Sequence, residues 1–303
     1  KQWFPTGTVS VDVWNEPDTV RFWPIGRDPN LIGYFAAFRT AEQALRKVLG
    51  TRVRIIGPST ASRASAWTSR LVNYCAANGC KLDGIAWHAN FQGTGLMGGL
   101  DSSMQRIRRK AGSDPKWRRV VRQPVQFLVT EYVSAGKRTD PGSLLAYWSQ
   151  IEKGGGGRAA FSVWKEGDES DGVLDSLLDA EGHPRSGWWA ARAYTVGRAA
   201  RVLTASSSSL WPALASRKGL SGRREVLLGA WGSRGAWVQV RLSGLPRGTL
   251  RLGLATFARP VSPWKGIPLG PTWRRARPIR STAGTSIRRV WVPGDSVVAL
   301  SIG

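Results

Sequence analysis

Between Val9 and Ala200, short apolar runs alternate with longer stretches of helical period, and this rhythm constrains the chain more than any other feature. A buried strand followed by a helix with one apolar face is the unit of a parallel sheet with helices outside it. The strand runs are Val9–Trp14 (VSVDVW), Val53–Gly57, Gly84–His88 (GIAWH), Val125–Thr130 (VQFLVT) and Ala159–Trp164 (AAFSVW). The spacing predicts helices over Leu31–Leu49, Ser65–Ala77, Leu100–Lys110 and Pro141–Lys153, with a last one near Trp188–Ala200. In the first of these, Ile32, Phe35, Phe38, Leu45 and Val48 fall largely on one face, and Gly50 is a stop signal.

After Leu203 the pattern changes. Ala205-Ser206-Ser207-Ser208-Ser209 reads as a linker or loop. Beyond it come short alternating runs, Val226–Trp231, Ala236–Leu242, Thr249–Phe257, Arg288–Val292 and Ser296–Ile302, parted by Gly and Pro turns. That pattern predicts a small antiparallel β-sandwich. Two domains are therefore expected, residues 1–203 as an α/β unit built on a parallel sheet and residues 204–303 as the sandwich.

Charge narrows the partners. The 303 residues carry 44 Lys and Arg against 20 Asp and Glu, a net +24, and residues 204–303 alone hold 16 basic and 2 acidic side chains. Such a surface attracts polyanions, whether acidic polysaccharide, nucleic acid or an anionic envelope. Runs such as Arg274-Arg275-Ala276-Arg277 are short and belong to no nucleic-acid-binding module, so specific nucleic-acid recognition is not expected. No apolar run reaches the roughly 18–20 residues of a membrane-spanning helix. Cys75 and Cys80, the only cysteines, read as two inert thiols. With two histidines, His88 and His183, neither a metal site nor a cofactor is expected.

Chemistry enters at Val13-Trp14-Asn15-Glu16-Pro17-Asp18, which closes the first strand. A carboxylate at the carboxyl end of a parallel strand, before a proline-fixed turn, points into the mouth where such folds do their work. Thr130-Glu131-Tyr132 repeats the arrangement at the fourth strand. Two glutamates on different strand ends can face each other across a sugar ring, one protonated and one ionised. Retention of configuration needs them roughly 5–5.5 Å apart.

The ordered series VWNEPD, IIGPSTA, LDGIAWHANF, FLVTEYVSAG, AAFSVWKEGD and GHPRSGWWAARAY resembles the second half of the clan A glycoside hydrolases. The resemblance is closest to family 39, which holds β-xylosidases, α-L-iduronidases and exopolysaccharide hydrolases, and it covers roughly Val9 to Val202. It implies a (β/α)8 barrel, a trailing β-sandwich and a carbohydrate substrate. By the same resemblance, Glu16 is the general acid/base and Glu131 the nucleophile. Asn15 holds the sugar 2-hydroxyl, and His88, Asn90, Tyr132, Trp164 and Glu166 line the substrate pocket. Export to the cell envelope or beyond is the family's habit. Trp14, Trp87, Trp188 and Trp189 read instead as packing residues, and Asp168, Glu169 and Asp171 as a solvated acidic loop.

The pattern also breaks. A clan A barrel has eight β/α units with its acid/base on the fourth, and this chain opens at that unit. Five units leave two sheet edges open. The expectation is a fragment, or one chain of a split enzyme whose missing half lies in an N-terminal segment or a second chain. The alternative is a non-catalytic, barrel-derived binding or assembly protein for an anionic glycan, an envelope surface or nucleic acid.

Overall fold

A computed structural model describes residues 9–61, 65–92, 99–135, 140–161, 177–178, 182–197, 201–218, 223–232, 234–258, 271 and 273–303. The chain forms two compact units. The first comprises Lys1–Asn90, Gly99–Tyr132 and Ile151–Ser162; the second takes Phe91–Gly98, Val133–Gln150 and Val163–Gly303.

The first unit is built on a five-stranded sheet in the sequential order β1 (Val9–Asp12), β2 (Val53–Thr60), β3 (Gly84–Gln92), β4 (Phe127–Ala135) and β5 (Arg158–Phe161). Pairings β1–β2, β2–β3 and β4–β5 are parallel, so the architecture is the parallel sheet expected from the rhythm and the partial barrel implied by the resemblance. β2 is buried along nearly its whole length, as a strand covered on both faces must be. The unit's helices are α1 (Ile32–Leu49), α2 (Ser65–Asn78), α3 (Leu100–Ser113) and α4 (Pro115–Val120), while α5 (Pro141–Lys153) falls mostly in the second unit. α1 buries Tyr34, Phe35 and Phe38. Its first turn is capped from a distance, because Asp28 accepts the Ile32 and Tyr34 amides and so satisfies donors the helix leaves orphaned. Asp83, just before β3, accepts both the Ile55 amide at 2.9 Å and the Arg46 guanidinium at 2.8 Å. That double contact locks the β2–β3 register and, with it, the height of β3 in the sheet.

Two features depart from the sequence reading. α4 is an additional helix; Asp114 caps it by accepting from the Lys116 amide and Pro115 occupies its first turn, a start signal hidden by the basic run behind it. Cys75 and Cys80 form a disulfide, their Cα atoms 4.5 Å apart, and are not the free thiols expected. The end of α2 and the turn at Gly79, whose φ is +77°, fold the chain back far enough for the two sulfurs to meet.

In the second unit, β6 (Arg201–Val202), β7 (Ala213–Lys218), β8 (Arg223–Gly229), β10 (Gly248–Phe257), β11 (Arg274–Ser281) and β13 (Val297–Ile302) make one sheet, ordered β11-β10-β13-β8-β7-β6. A second sheet pairs β9 (Ala236–Ser243) with β12 (Thr285–Val292), antiparallel. Val240, Leu242, Val290 and Val292 share one buried cluster with Val226, Leu228, Val298 and Leu300, which is the core of a sandwich. β6, β7 and β11 are strands beyond those read from the sequence; Arg-rich β11 has no clear apolar alternation to reveal it. Helix α6 (Ser186–Gly197) completes the set. No helix among the described residues is long and apolar enough to cross a membrane.

Candidate active site

β1 ends at Asp12, two residues before the end expected for it, so Asn15-Glu16-Pro17-Asp18 forms a turn beyond the strand. Glu16 takes a φ of +43°, a region that costs a non-glycine residue about 1–3 kcal/mol and is held only where the surroundings over-determine it. They do so here. The Glu16 amide donates to Ser59 O at 3.0 Å, and the Thr19 amide and hydroxyl donate to Glu16 O at 3.0 and 3.1 Å. Asp18 accepts the Ala61 amide at 2.8 Å, tying the turn to the end of β2. Ser59 itself sits at φ +48°.

This bracing aims Glu16 at His88, which is buried on β3. His88 Nδ1 lies 2.8 Å from Glu16 Oε1 and 3.5 Å from Glu131 Oε2. Asn90, two residues on and hence on the same face of β3, donates from Nδ2 to Glu131 Oε2 at 3.3 Å. One donor atom from each of Glu16, His88 and Glu131 falls within 4.8 Å of the others. These three are also the group among the described residues able to ligate a cation. Glu131 is the more open carboxylate, its side chain 35% exposed against 17% for Glu16.

Beneath the pair lies Asp12, whose carboxylate accepts a short hydrogen bond from the Ser59 hydroxyl. Burial pushes the Asp12 carboxyl up to about 6, against the opposing pull of Ser59, the His88 charge and the Trp14 amide. Ser59 Oγ is in turn 3.5 Å from Thr130 Oγ1, so a polar chain runs from β1 through β2 to the residue before Glu131. Asp12 and Ser59 were not singled out from sequence. The signal was there for Asp12, an acid inside the apolar run VSVDVW.

The structure thus gathers Glu16, His88, Asn90 and Glu131 and leaves Asn15 exposed on the same turn. Tyr132 is buried with its ring edge-on to Phe161 at 5.7 Å. Trp164, Glu166 and the acidic loop at Asp168, Glu169 and Asp171 lie outside the described residues. Trp87 packs in the core as expected, but Trp14 does not: it is 45% exposed. Its indole donates to Phe22 O at 2.9 Å and meets Trp23 edge-on at 5.4 Å, forming an aromatic wall beside the Glu16 turn.

Glu16 on the turn after β1 and Glu131 on β4 thus form a carboxylate pair bridged by His88 of β3. The chain is similar to glycoside hydrolases over its first part: the sequence model of the family described as Glycosyl hydrolases family 39 matches residues 7–127. A β-xylosidase from Geobacillus stearothermophilus is 28% identical over 82 residues, 27% of this chain and 16% of the relative. Among solved structures, a protein from Neocallimastix frontalis superposes with a TM-score of 0.76 at 18% identity, covering 96% of this chain and 69% of the other. A glycoside hydrolase family 39 enzyme from Xanthomonas axonopodis pv. citri gives 0.64 at 17% identity, with 97% and 68% covered. The match to the xylosidase therefore spans about a sixth of that relative's length, and these structural neighbours share the fold.

Proposed function

We propose that this protein is a retaining glycoside hydrolase working by double displacement on an oligo- or polysaccharide, with anionic sugars favoured by its positive surface. The observation that carries the reading is the approach of Glu16 and Glu131 oxygens to within 4.8 Å. That spacing suits direct attack on the anomeric carbon; inverting enzymes hold their carboxyl groups about 6.5–9.5 Å apart to admit a water.

In the first step Glu131 attacks the anomeric carbon while Glu16 gives its proton to the departing glycosidic oxygen. The C–O bond breaks, the aglycone leaves as an alcohol, and the sugar stays esterified to Glu131. In the second step Glu16, now a carboxylate, takes a proton from water. The resulting hydroxide equivalent attacks the same carbon, releasing Glu131 and restoring the starting protonation. His88 positions Glu16 through its 2.8 Å contact, and Asn90 orients Glu131. Asn15 is proposed to hold the sugar 2-hydroxyl, a bond that tightens as positive charge develops on the ring. Tyr132, Trp164 and Glu166 are proposed to complete the pocket.

The five strands among the described residues leave the barrel open, and closure by further strands, on the same polypeptide or on a second chain, is part of this reading. So is action outside the cell or at its envelope. The β-xylosidase relative makes an aryl β-xyloside the first substrate to test, followed by uronides. Proton NMR of the first-formed sugar should show the anomer of the substrate. Release of the opposite anomer would refute double displacement.

A further inference from the structure

The outer face of the β9–β12 sheet carries a composition that its inner face does not explain. In the antiparallel register Trp237 stands opposite Trp291, Gln239 opposite Arg289, and Arg241 opposite Ile287. All six point away from the core. Trp237 is 60% exposed and Trp291 47%, and their rings meet at 5.8 Å with planes inclined by 62°. Arg289 lies over the Trp237 ring at 5.9 Å. The placement of Trp291 is built in: a Cβ on Gly235 would come within 2.8 Å of Trp291 Cζ2, so only glycine lets the ring lie against the chain there.

Two large aromatics beside the exposed guanidinium groups of Arg241 and Arg289 have the composition of a recognition surface. The electron-rich ring faces attract the electropositive axial C–H groups of a pyranose, and Arg pairs with carboxylate or sulfate in a planar fork. The surrounding charge has one sign. Residues 204–303 hold only two acids, Glu225 and Asp295, and both are buried. The row from Trp237 to Arg241 runs about 14 Å along the strand, enough for a short run of sugar units.

We propose that this face is an accessory binding surface for an anionic polysaccharide, with Trp237 and Trp291 stacking on sugar rings and Arg241 and Arg289 pairing with their acidic groups. The choice of a glycan over a nucleic acid rests on the glycosidase reading of Glu16 and Glu131.

The test is calorimetric titration of the full chain, carrying Glu131→Gln to stop turnover, with polygalacturonate, neutral xylan and duplex DNA at low and raised salt. Polygalacturonate should bind best, and Trp237→Ala with Trp291→Ala should weaken it at least tenfold while leaving the weak DNA affinity unchanged. Arg241→Gln with Arg289→Gln should weaken it similarly and flatten its salt dependence. The aromatic pair Trp237→Phe with Trp291→Phe should keep most of the affinity, and unchanged melting temperatures serve as the folding control. Undiminished polygalacturonate binding in both the alanine and glutamine variants would overturn the proposal in favour of diffuse charge. Tighter, tryptophan-dependent DNA binding would overturn it in favour of nucleic acid. Because binding is read without turnover, loss of this face leaves hydrolysis by the Glu131-intact chain standing, and absence of hydrolysis leaves this binding result standing.

Discussion

Replacing Asp12 by asparagine should make the first unit more stable at neutral pH and leave it unchanged in acid. The Asp12 carboxyl is pushed up to about 6 by burial, from about 4 in an unfolded chain. Because the folded state holds the proton more tightly, it binds more protons than the unfolded state between those values. Stability therefore falls as pH rises through that window. Two pKa units at 1.36 kcal/mol each give a cost of about 3 kcal/mol, fully present above pH ~7 and absent below pH ~4. Asparagine keeps a partner for the Ser59 hydroxyl and removes the buried charge. The assay is chemical denaturation of both proteins from pH 4 to 8, followed by hydrogen exchange of the β1 and β2 amides. The difference between the two should open over this range to about 3 kcal/mol in favour of the variant. A difference that is flat with pH would show that Asp12 is not titrating in the folded state, and would refute the reasoning.

Three other outcomes are expected. Glu16→Gln should slow hydrolysis of substrates with poor leaving groups about 10²–10⁴-fold, and far less for activated aryl glycosides, which a leaving-group series would read directly. Reducing the Cys75–Cys80 bond, which closes a loop of sequence separation 5, should cost about 2 kcal/mol by loop entropy, measurable as a lower denaturation midpoint in dithiothreitol. Gly142→Ala should destabilise the second unit by about 3 kcal/mol or prevent its folding, because a Cβ there would fall 1.8 Å from Ala230 O; soluble yield and melting temperature decide it.

The parallel half of the fold was legible because its strands are short, mainly apolar runs and a helix such as α3 keeps a 3.6-residue period, burying Leu100, Met104, Ile107 and Ala111. The sandwich was less so. β11 reads RRARPIRS with burial at only Ile279 and Ser281, and an edge strand that buries so little leaves almost no periodic trace. The disulfide was missed because a separation of five residues says nothing until Gly79 has turned the chain. Glu16 and Glu131 could be picked out as acids that follow apolar runs, although Glu16 lies beyond β1 and Glu131 within β4, which continues to Ala135 and not only to the expected Thr130. What the sequence hid was how Glu16 is aimed: a left-handed turn pinned by Ser59 O and Asp18, which depends on β2 lying alongside β1. Trp14 shows the opposite failure, since hydrophobicity alone assigns tryptophan to the interior, whereas this one borders the site.

The role of Glu131 as the nucleophile is tested most directly by trapping. The protein in its native assembly would be incubated with a panel of 2-deoxy-2-fluoro glycosyl fluorides, then weighed intact and mapped by peptide mass. One reagent should add a single fluorosugar mass, carried on Glu131 and absent from Glu131→Gln. A label on another residue, or turnover that releases the inverted sugar without any adduct, would contradict the account.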